Sequence, residues 1–326
     1  MIATDDVDVT ERRSAPIEMT AEAFKEAGHR LVDQIAGWLE AMPRGPVTPD
    51  ESPADLRHVL RADRGLPEQG IAPRDLLDGA ADLLFRHSLF NGHPRFFGYI
   101  TSSPAPIGAL GDLLASAVNQ NVGAWRLAPI ATEIEAQTVR WIAELIGFPA
   151  DAGGLLVSGG NMANFVGLLA ARTAKAAIDV RTHGLRTGPQ FRVYASTETH
   201  TWIQKAADLS GLGTNAIRWI ETDGQQQMKV DDLEAQIVAD SYAGDLPCLV
   251  AGTAGSVSTG AVDPLADIAA VCRRHDVWFH VDGAYGAPAA VAAPEKFVGM
   301  PEADSISLDA HKWLYQPLDC SILLYR

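Results

Sequence analysis

The sequence predicts an α/β protein: a mostly parallel sheet with helices on both faces, preceded by a helical N-terminal arm. Three observations predict it. From Gly153 onward, short apolar runs alternate with amphipathic segments of helical period. Several of the runs end in glycine, serine or threonine, as strands do where they turn into loops at a sheet edge. The first 90 residues instead carry helical periodicity interrupted by a proline-rich connector.

Residues 1–18 have the composition of a disordered segment. Thr20 is placed to cap a helix with Glu22 in its first turn, and Phe24, Ala27, Leu31, Ile35 and Leu39 recur at helical spacing. Pro43, Pro46, Pro49 and Pro53 mark an extended connector, followed by two short helices at 55–60 and 74–84. Such an arm, residues 1–90, cannot bury its apolar stripe alone and needs the main domain or another subunit as partner. Residues 91–326 form the large domain. It opens with the aromatic, turn-rich passage His93-Pro94-Arg95-Phe96-Phe97-Gly98-Tyr99-Ile100 and a helix at 107–118. A second helix is expected at 132–146, with Thr132 and Glu135 as a capping box and Ile134, Thr138, Trp141, Ile142 and Leu145 as its buried face. Strands then follow at 155–157, 192–195, 216–220, 248–252, 277–282 and 305–308, with helices at 166–173, 201–209, 230–238 and 265–273. No internal repeat or low-complexity tract interrupts them.

With 326 residues and 47% hydrophobic content the chain holds a sizeable core. A net charge of −15 argues against unspecific binding to nucleic acid or anionic membrane, so a small anionic ligand needs locally arranged donors. Cys248, Cys272 and Cys320 are dispersed, odd in number and without metal-ligand spacing, which favours a reducing compartment. The acidic N-terminus lacks a basic leader and no run is long and apolar enough to span a bilayer, so a cytoplasmic location is expected.

In a parallel sheet ligands gather at the carboxyl ends of strands, and four pieces of this sequence belong there. Val157-Ser158-Gly159-Gly160-Asn161 runs from strand through a glycine turn into a helix, whose free N–H groups at Gly160 and Asn161 suit an anion such as phosphate; a plain strand-to-helix turn explains the same residues. A Walker lysine and a three-glycine dinucleotide fingerprint are both missing. His280-Val281-Asp282 places a carboxylate at the end of a buried strand, where it needs a cation: a protonated pyridine nitrogen, a structural salt bridge and a helix cap are the alternatives. His200 follows a strand and is placed either to lie on an aromatic ligand and move a proton or to serve structure alone. Thr253 ends another strand among small residues that admit a flat ring. Last comes Asp304 to Cys320, in which Lys312 follows a strand on a loop beside Trp313 and Leu314; partial desolvation there would free an amine for nucleophilic work, while a solvated surface lysine explains the same residues taken alone. An imine-forming lysine, a carboxylate for a ring nitrogen and a phosphate cradle together describe pyridoxal phosphate.

The chain resembles the group II pyridoxal-phosphate-dependent amino-acid decarboxylases, from about Met19 to its end. The resemblance rests on His93-Pro94 with Phe96-Phe97 and Tyr99, Ala131-Thr132-Glu133-Ile134-Glu135, Ser158-Gly159-Gly160, Ala170-Ala171-Arg172, His200, Thr253, His280-Val281-Asp282 with Ala284-Tyr285, and His311-Lys312-Trp313. It implies the large domain of the type I pyridoxal-phosphate transferase fold and a carboxy-lyase that turns an L-amino acid, aromatic or related, into its amine and carbon dioxide. By that similarity Lys312 forms the imine with pyridoxal 5'-phosphate, Asp282 pairs with its ring nitrogen and His200 stacks on the ring. Gly160 and Asn161 take the phosphate, Thr253, Ala284 and His311 complete the cofactor site, and Tyr99 and Ile100 face the substrate. A homodimer is implied as well. Relatives continue through a mobile catalytic loop into a C-terminal small domain; this sequence stops at Tyr325-Arg326, so that domain is expected to be absent. Asp309 departs from what a phosphate site calls for. An aminotransferase or other lyase of the same fold, and an inactive cofactor-binding fragment, are the competing readings.

Overall fold

The structure, a computed structural model, describes residues 18–185 and 188–326. The expected disorder of the first residues therefore lies almost wholly outside them. The chain divides into two compact units, one ending at Phe97 and one spanning Gly98–Arg326.

The first unit holds α1 (Ala21–Ala41), α2 (Pro53–Leu60) and α3 (Pro73–His87). Thr20 caps α1 by accepting from the Ala23 N–H at 3.1 Å, as its position before an apolar stripe predicts. α1 packs on α3, where Trp38 stacks on Phe85 with centroids 5.1 Å apart, and Arg30 and Gln34 both donate to Asp78. Ser52 and Asp55 form a reciprocal capping box on α2.

The second unit opens with α4 (Pro106–Val118) and α5 (Pro129–Leu145). The cap expected for α5 is corrected. The helix starts three residues before Thr132, because Pro129 is fixed at a helical φ at the first position; Thr132 lies inside and donates back to Ala128 O at 2.9 Å. Glu135 is not a capping partner but accepts from the Leu156 N–H at 2.8 Å. The buried face is corrected too: Val139 and Ala143 are buried, whereas Ile134, Trp141 and Leu145 are exposed. Small side chains let this helix lie close to the sheet, which leaves its large ones outside.

The elements that follow are β1 (Gly153–Val157), α6 (Gly160–Lys175), α7 (Val180–His183), β2 (Phe191–Ser196), α8 (Trp202–Leu209), β3 (Ile217–Ile220) and α9 (Val230–Tyr242). Then come β4 (Leu246–Thr253), α10 (Leu265–His275), β5 (Trp278–Asp282), β6 (Ser305–Asp309), α11 (Ala310–Trp313) and β7 (Ser321–Tyr325). Among the described residues the seven strands form one mixed sheet in the order β1-β7-β6-β5-β4-β2-β3. β6, β5, β4, β2 and β3 pair in parallel, while β7 is antiparallel to both β1 and β6. Alternation along the strands feeds two cores. Tyr194, Val250, Phe279 and Val281 join α5, α9 and α10 on one face, and Val193, Ala195, Leu249 and Ala251 join α6 and α8 on the other. Helices thus cover both faces, as the sequence predicts.

Because β7 runs against its neighbours, the edge that collects the carboxyl ends of β1, β6, β5, β4 and β2 also collects the start of β7. Val157 and Asp309 flank Ser321 in register, so the β1–α6 turn and the lysine segment meet there although they are far apart in sequence.

Candidate active site

A cavity of about 340 Å³ opens at that edge, within the size range of small-molecule sites. Its lining includes Ser158, Gly159, Gly160, Asn161, His200, Thr253, Asp282, Ala284, His311 and Lys312, with Ile100 at one side. The structure therefore brings together the residues singled out in the sequence, with one exception. Tyr99 does not line the cavity: its backbone takes a φ of 57° and its side chain is 84% exposed.

Each side chain has a local reason for its place. Asp282 closes β5 and is buried; its Oδ1 accepts from the Ala284 N–H at 3.2 Å and the Ser307 hydroxyl at 3.3 Å. Among the described residues nothing donates to Oδ2, which leaves one carboxylate oxygen for a cationic or N–H partner in the cavity. Lys312 sits in the short helix α11 rather than on a loop, because Ala310–Trp313 completes one helical turn directly after β6. Ser102 pins that turn by donating to Lys312 O at 2.5 Å. Lys312 Nζ lies 2.8 Å from Asp309 Oδ2, and the His311 ring packs against the Cys320 backbone.

The α6 N-terminus supplies free N–H groups. Gly159 precedes it at φ 88°, a left-handed conformation open to glycine, and Gly160 lets the helix start come against Asp309: a Cβ there would lie 2.7 Å from Asp309 Oδ1. His200 follows β2; its Nδ1 accepts from the Trp202 N–H at 3.3 Å, and partial desolvation lowers the imidazole's pKa from its ordinary value. The Thr253 N–H donates to Asp263 Oδ2 at 2.8 Å, which fixes the end of β4.

Behind the cavity runs a chain of buried hydrogen bonds. Trp278 Nε1 donates to Ser305 Oγ at 2.8 Å, Ser305 lies 2.7 Å from His280 Nδ1, and His280 Nε2 lies 2.7 Å from Asn164 Oδ1. Burial pushes His280 down to about 4, so it is neutral and Nε2–H donates to Asn164. Asn164 lines the cavity, as do Glu198, Tyr285 and Asp319. Sequence reading missed Asn164, Glu198 and Asp319. The spacing of Asn164 one helical turn after Gly160 was a signal for the first, whereas Glu198 and Asp319 reach the cavity through loop paths that carry none.

A lysine Nζ, a buried carboxylate with one oxygen unfilled, an imidazole and a helix N-terminus within one cavity define a site for a phosphorylated aromatic aldehyde of the pyridoxal type, and the residues present fit that group. The family model described as the pyridoxal-dependent decarboxylase conserved domain matches residues 55–326, and the chain belongs to that family. Among its relatives, an aromatic-L-amino-acid decarboxylase of Bacillus atrophaeus is 35% identical over 96% of this chain and 64% of its own. A cysteine sulfinic acid decarboxylase of Homo sapiens is 31% identical over 100% of this chain and 63% of its own. A crystal structure of Oryza sativa TDC with PLP and tryptamine superimposes with a TM-score of 0.86 at 30% identity, covering 96% of this chain and 65% of that one. The chain spans just under two thirds of the length of the curated relatives it matches.

Proposed function

We propose that the protein is a pyridoxal-phosphate-dependent carboxy-lyase that removes the α-carboxylate of an L-amino acid, aromatic or related, as carbon dioxide and leaves the amine. The observation that carries this reading is the meeting of Lys312, Asp282 and the α6 N-terminus in one cavity. When bound, pyridoxal 5'-phosphate supplies a conjugated pyridine ring that accepts the electron pair left on the α-carbon as the carboxylate departs.

The chain's own residues do the rest. Lys312 would hold the cofactor through Nζ. Asp282 Oδ2 would hold a proton on the ring nitrogen, which would deepen the electron sink where charge develops. His200 would restrain the ring and move a proton. The Gly160 and Asn161 N–H groups would take the phosphate, Thr253 and Ala284 would contribute to the cofactor's place in the cavity, and His311 braces the lysine turn. Ile100 and Tyr99 are assigned to the substrate side, Ile100 with the support of its place in the cavity wall.

The reading extends to a homodimer and a cytoplasmic location. Ile107, Leu110, Leu113, Leu114 and Val118 on α4 and Ile134 and Trp141 on α5 expose an apolar face of the kind a subunit interface covers. Cys248, Cys272 and Cys320 are all free thiols, in keeping with a reducing compartment. Among the described residues no helix is long and apolar enough to cross a membrane.

Product analysis tests the activity. The purified protein, supplied with pyridoxal 5'-phosphate and a panel of aromatic and acidic L-amino acids, should release carbon dioxide and the matching amine in equal amounts. A keto acid in place of the amine would assign it to the aminotransferases, and cofactor binding with no turnover would make it a binding fragment.

A further inference from the structure

Asp309 places a carboxylate where an anion is expected to bind. It closes β6, buried, and faces four groups at once, among them the His311 ring, whose Nε2 lies 3.6 Å from Oδ2. Oδ1 accepts from the Ser321 hydroxyl at 2.5 Å, and Oδ2 holds Lys312 Nζ at 2.8 Å. Both oxygens lie within 2.9 Å of the point where a Cβ on Gly160 would stand, directly against the first residue of α6.

Beyond its pair with Lys312, the charged groups around it are mostly acidic. The cationic candidates are Lys312, His311 and His200, the last with its pKa lowered by partial desolvation. On the acidic side Asp282 closes the neighbouring strand, while Asp319 approaches Gly159 and Glu198 lines the cavity. Cys320 is also near, and burial raises its thiol so that it adds no charge. Lys312 Nζ at 2.8 Å and the His311 ring at 3.6 Å from Asp309 Oδ2 thus stand among four carboxylates before any ligand enters.

We propose that Asp309 makes this cradle take a phosphate monoester in its singly charged form, with one proton shared between the phosphate and the Asp309 carboxylate. A phosphate dianion against the buried Asp309 is a like-charge contact, whereas a monoanion turns the same contact into an O–H···O hydrogen bond. The proton arrives with the monoanion or from solvent, and no covalent bond is made or broken. Lys312 does not remove the conflict, since its single charge is already matched by Asp309. Because the second ionisation of a phosphate monoester falls near pH ~6, affinity should fall about tenfold for each pH step of about one above that value. The inference rests on the pyridoxal-phosphate reading above and goes beyond it in fixing the ionisation state that this chain selects.

The test uses pyridoxamine 5'-phosphate, which carries the phosphate but no aldehyde and so leaves Lys312 as a free amine. Its affinity and the ³¹P chemical shift of the bound phosphate are followed from about pH 6 to about pH 8.5 in the parent chain and in Asp309→Asn. In the parent the bound phosphate should keep the monoanion shift across the range, while affinity falls steeply with pH. In Asp309→Asn the bound shift should become that of the dianion, and affinity should flatten and exceed the parent's at the alkaline end. A dianion shift in the parent overturns the proposal without need of the variant, and so does an unchanged pH slope in Asp309→Asn. Failure of the parent to bind this ligand or pyridoxal 5'-phosphate at any pH would instead remove the cofactor reading on which the proposal rests.

Discussion

Replacing Asp263 by Asn alters a buried carboxylate whose two oxygens hold separate backbone segments. The Met228 N–H donates to Oδ1 at 2.7 Å and the Thr253 N–H to Oδ2 at 2.8 Å, so this side chain clamps the end of β4 at the cavity wall. Burial dominates its titration and pushes the carboxyl from 3.8 up to about 6, against the pull of the two backbone donors. A folded-state value above the unfolded one means that the native protein holds the proton more tightly. The resulting stabilisation is complete below the unfolded value and is lost as pH rises through about 6. The interval between 3.8 and about 6 corresponds to about 3 kcal/mol. Asn does not titrate, so Asp263→Asn should gain about 3 kcal/mol relative to the parent between about pH 4 and about pH 7. Set against this, the Asn carbonyl satisfies one backbone N–H and its amide confronts the other, at a cost of about 1–3 kcal/mol at every pH. The variant is therefore expected to be weaker by about 1–3 kcal/mol in acid and matched or up to about 2 kcal/mol more stable at neutrality. Urea unfolding of both proteins across that range gives the difference directly, and two stability curves running parallel with pH would refute the reasoning.

Three further outcomes follow from the packing and the site. Gly160→Ala puts a methyl 2.7 Å from an Asp309 oxygen that Ser321 holds in place, and should cost about 1–3 kcal/mol in thermal unfolding; an unchanged melt would contradict the close approach. Asp282→Ala should lower amine formation by about 10²–10³ at saturating cofactor, and near-normal turnover would remove its assigned role. Burial pushes the Cys248 thiol up to about 12 and raises Cys272 as well, so a thiol reagent should leave both unmodified until the protein unfolds. Labelling of either in the native state would contradict the core as described.

The sheet and its ligand edge were legible because each parallel strand carries its own local signal: an apolar run that stops at Ser196, Thr253, Asp282 or Asp309 and turns at once into a loop or helix. The N-terminal helix was legible for the same reason, with Thr20 ahead of a regular stripe. The insertion of β7 between β1 and β6 was not, since its partners are chosen by register with segments far away in sequence. Periodicity misled for α5, where volume and not hydrophobicity decides which residues face the sheet: Ala143 can approach it closely and Trp141 cannot. Helix α11 spans too few residues for any period to show, so Lys312 read as a loop residue although it sits in a helical turn. Asp309 stood out in the sequence as an acid near a phosphate site, but its pairing with Lys312 and its contact with Gly160 needed coordinates.

Reductive trapping tests the central claim most directly. The protein is incubated with pyridoxal 5'-phosphate, reduced with borohydride and digested, and the modified lysine is located by peptide mapping. One adduct per chain on the peptide carrying Lys312 is the predicted result. Labelling scattered over surface lysines such as Lys25 and Lys205, or no adduct at Lys312, would contradict the assignment of this cavity as the cofactor site.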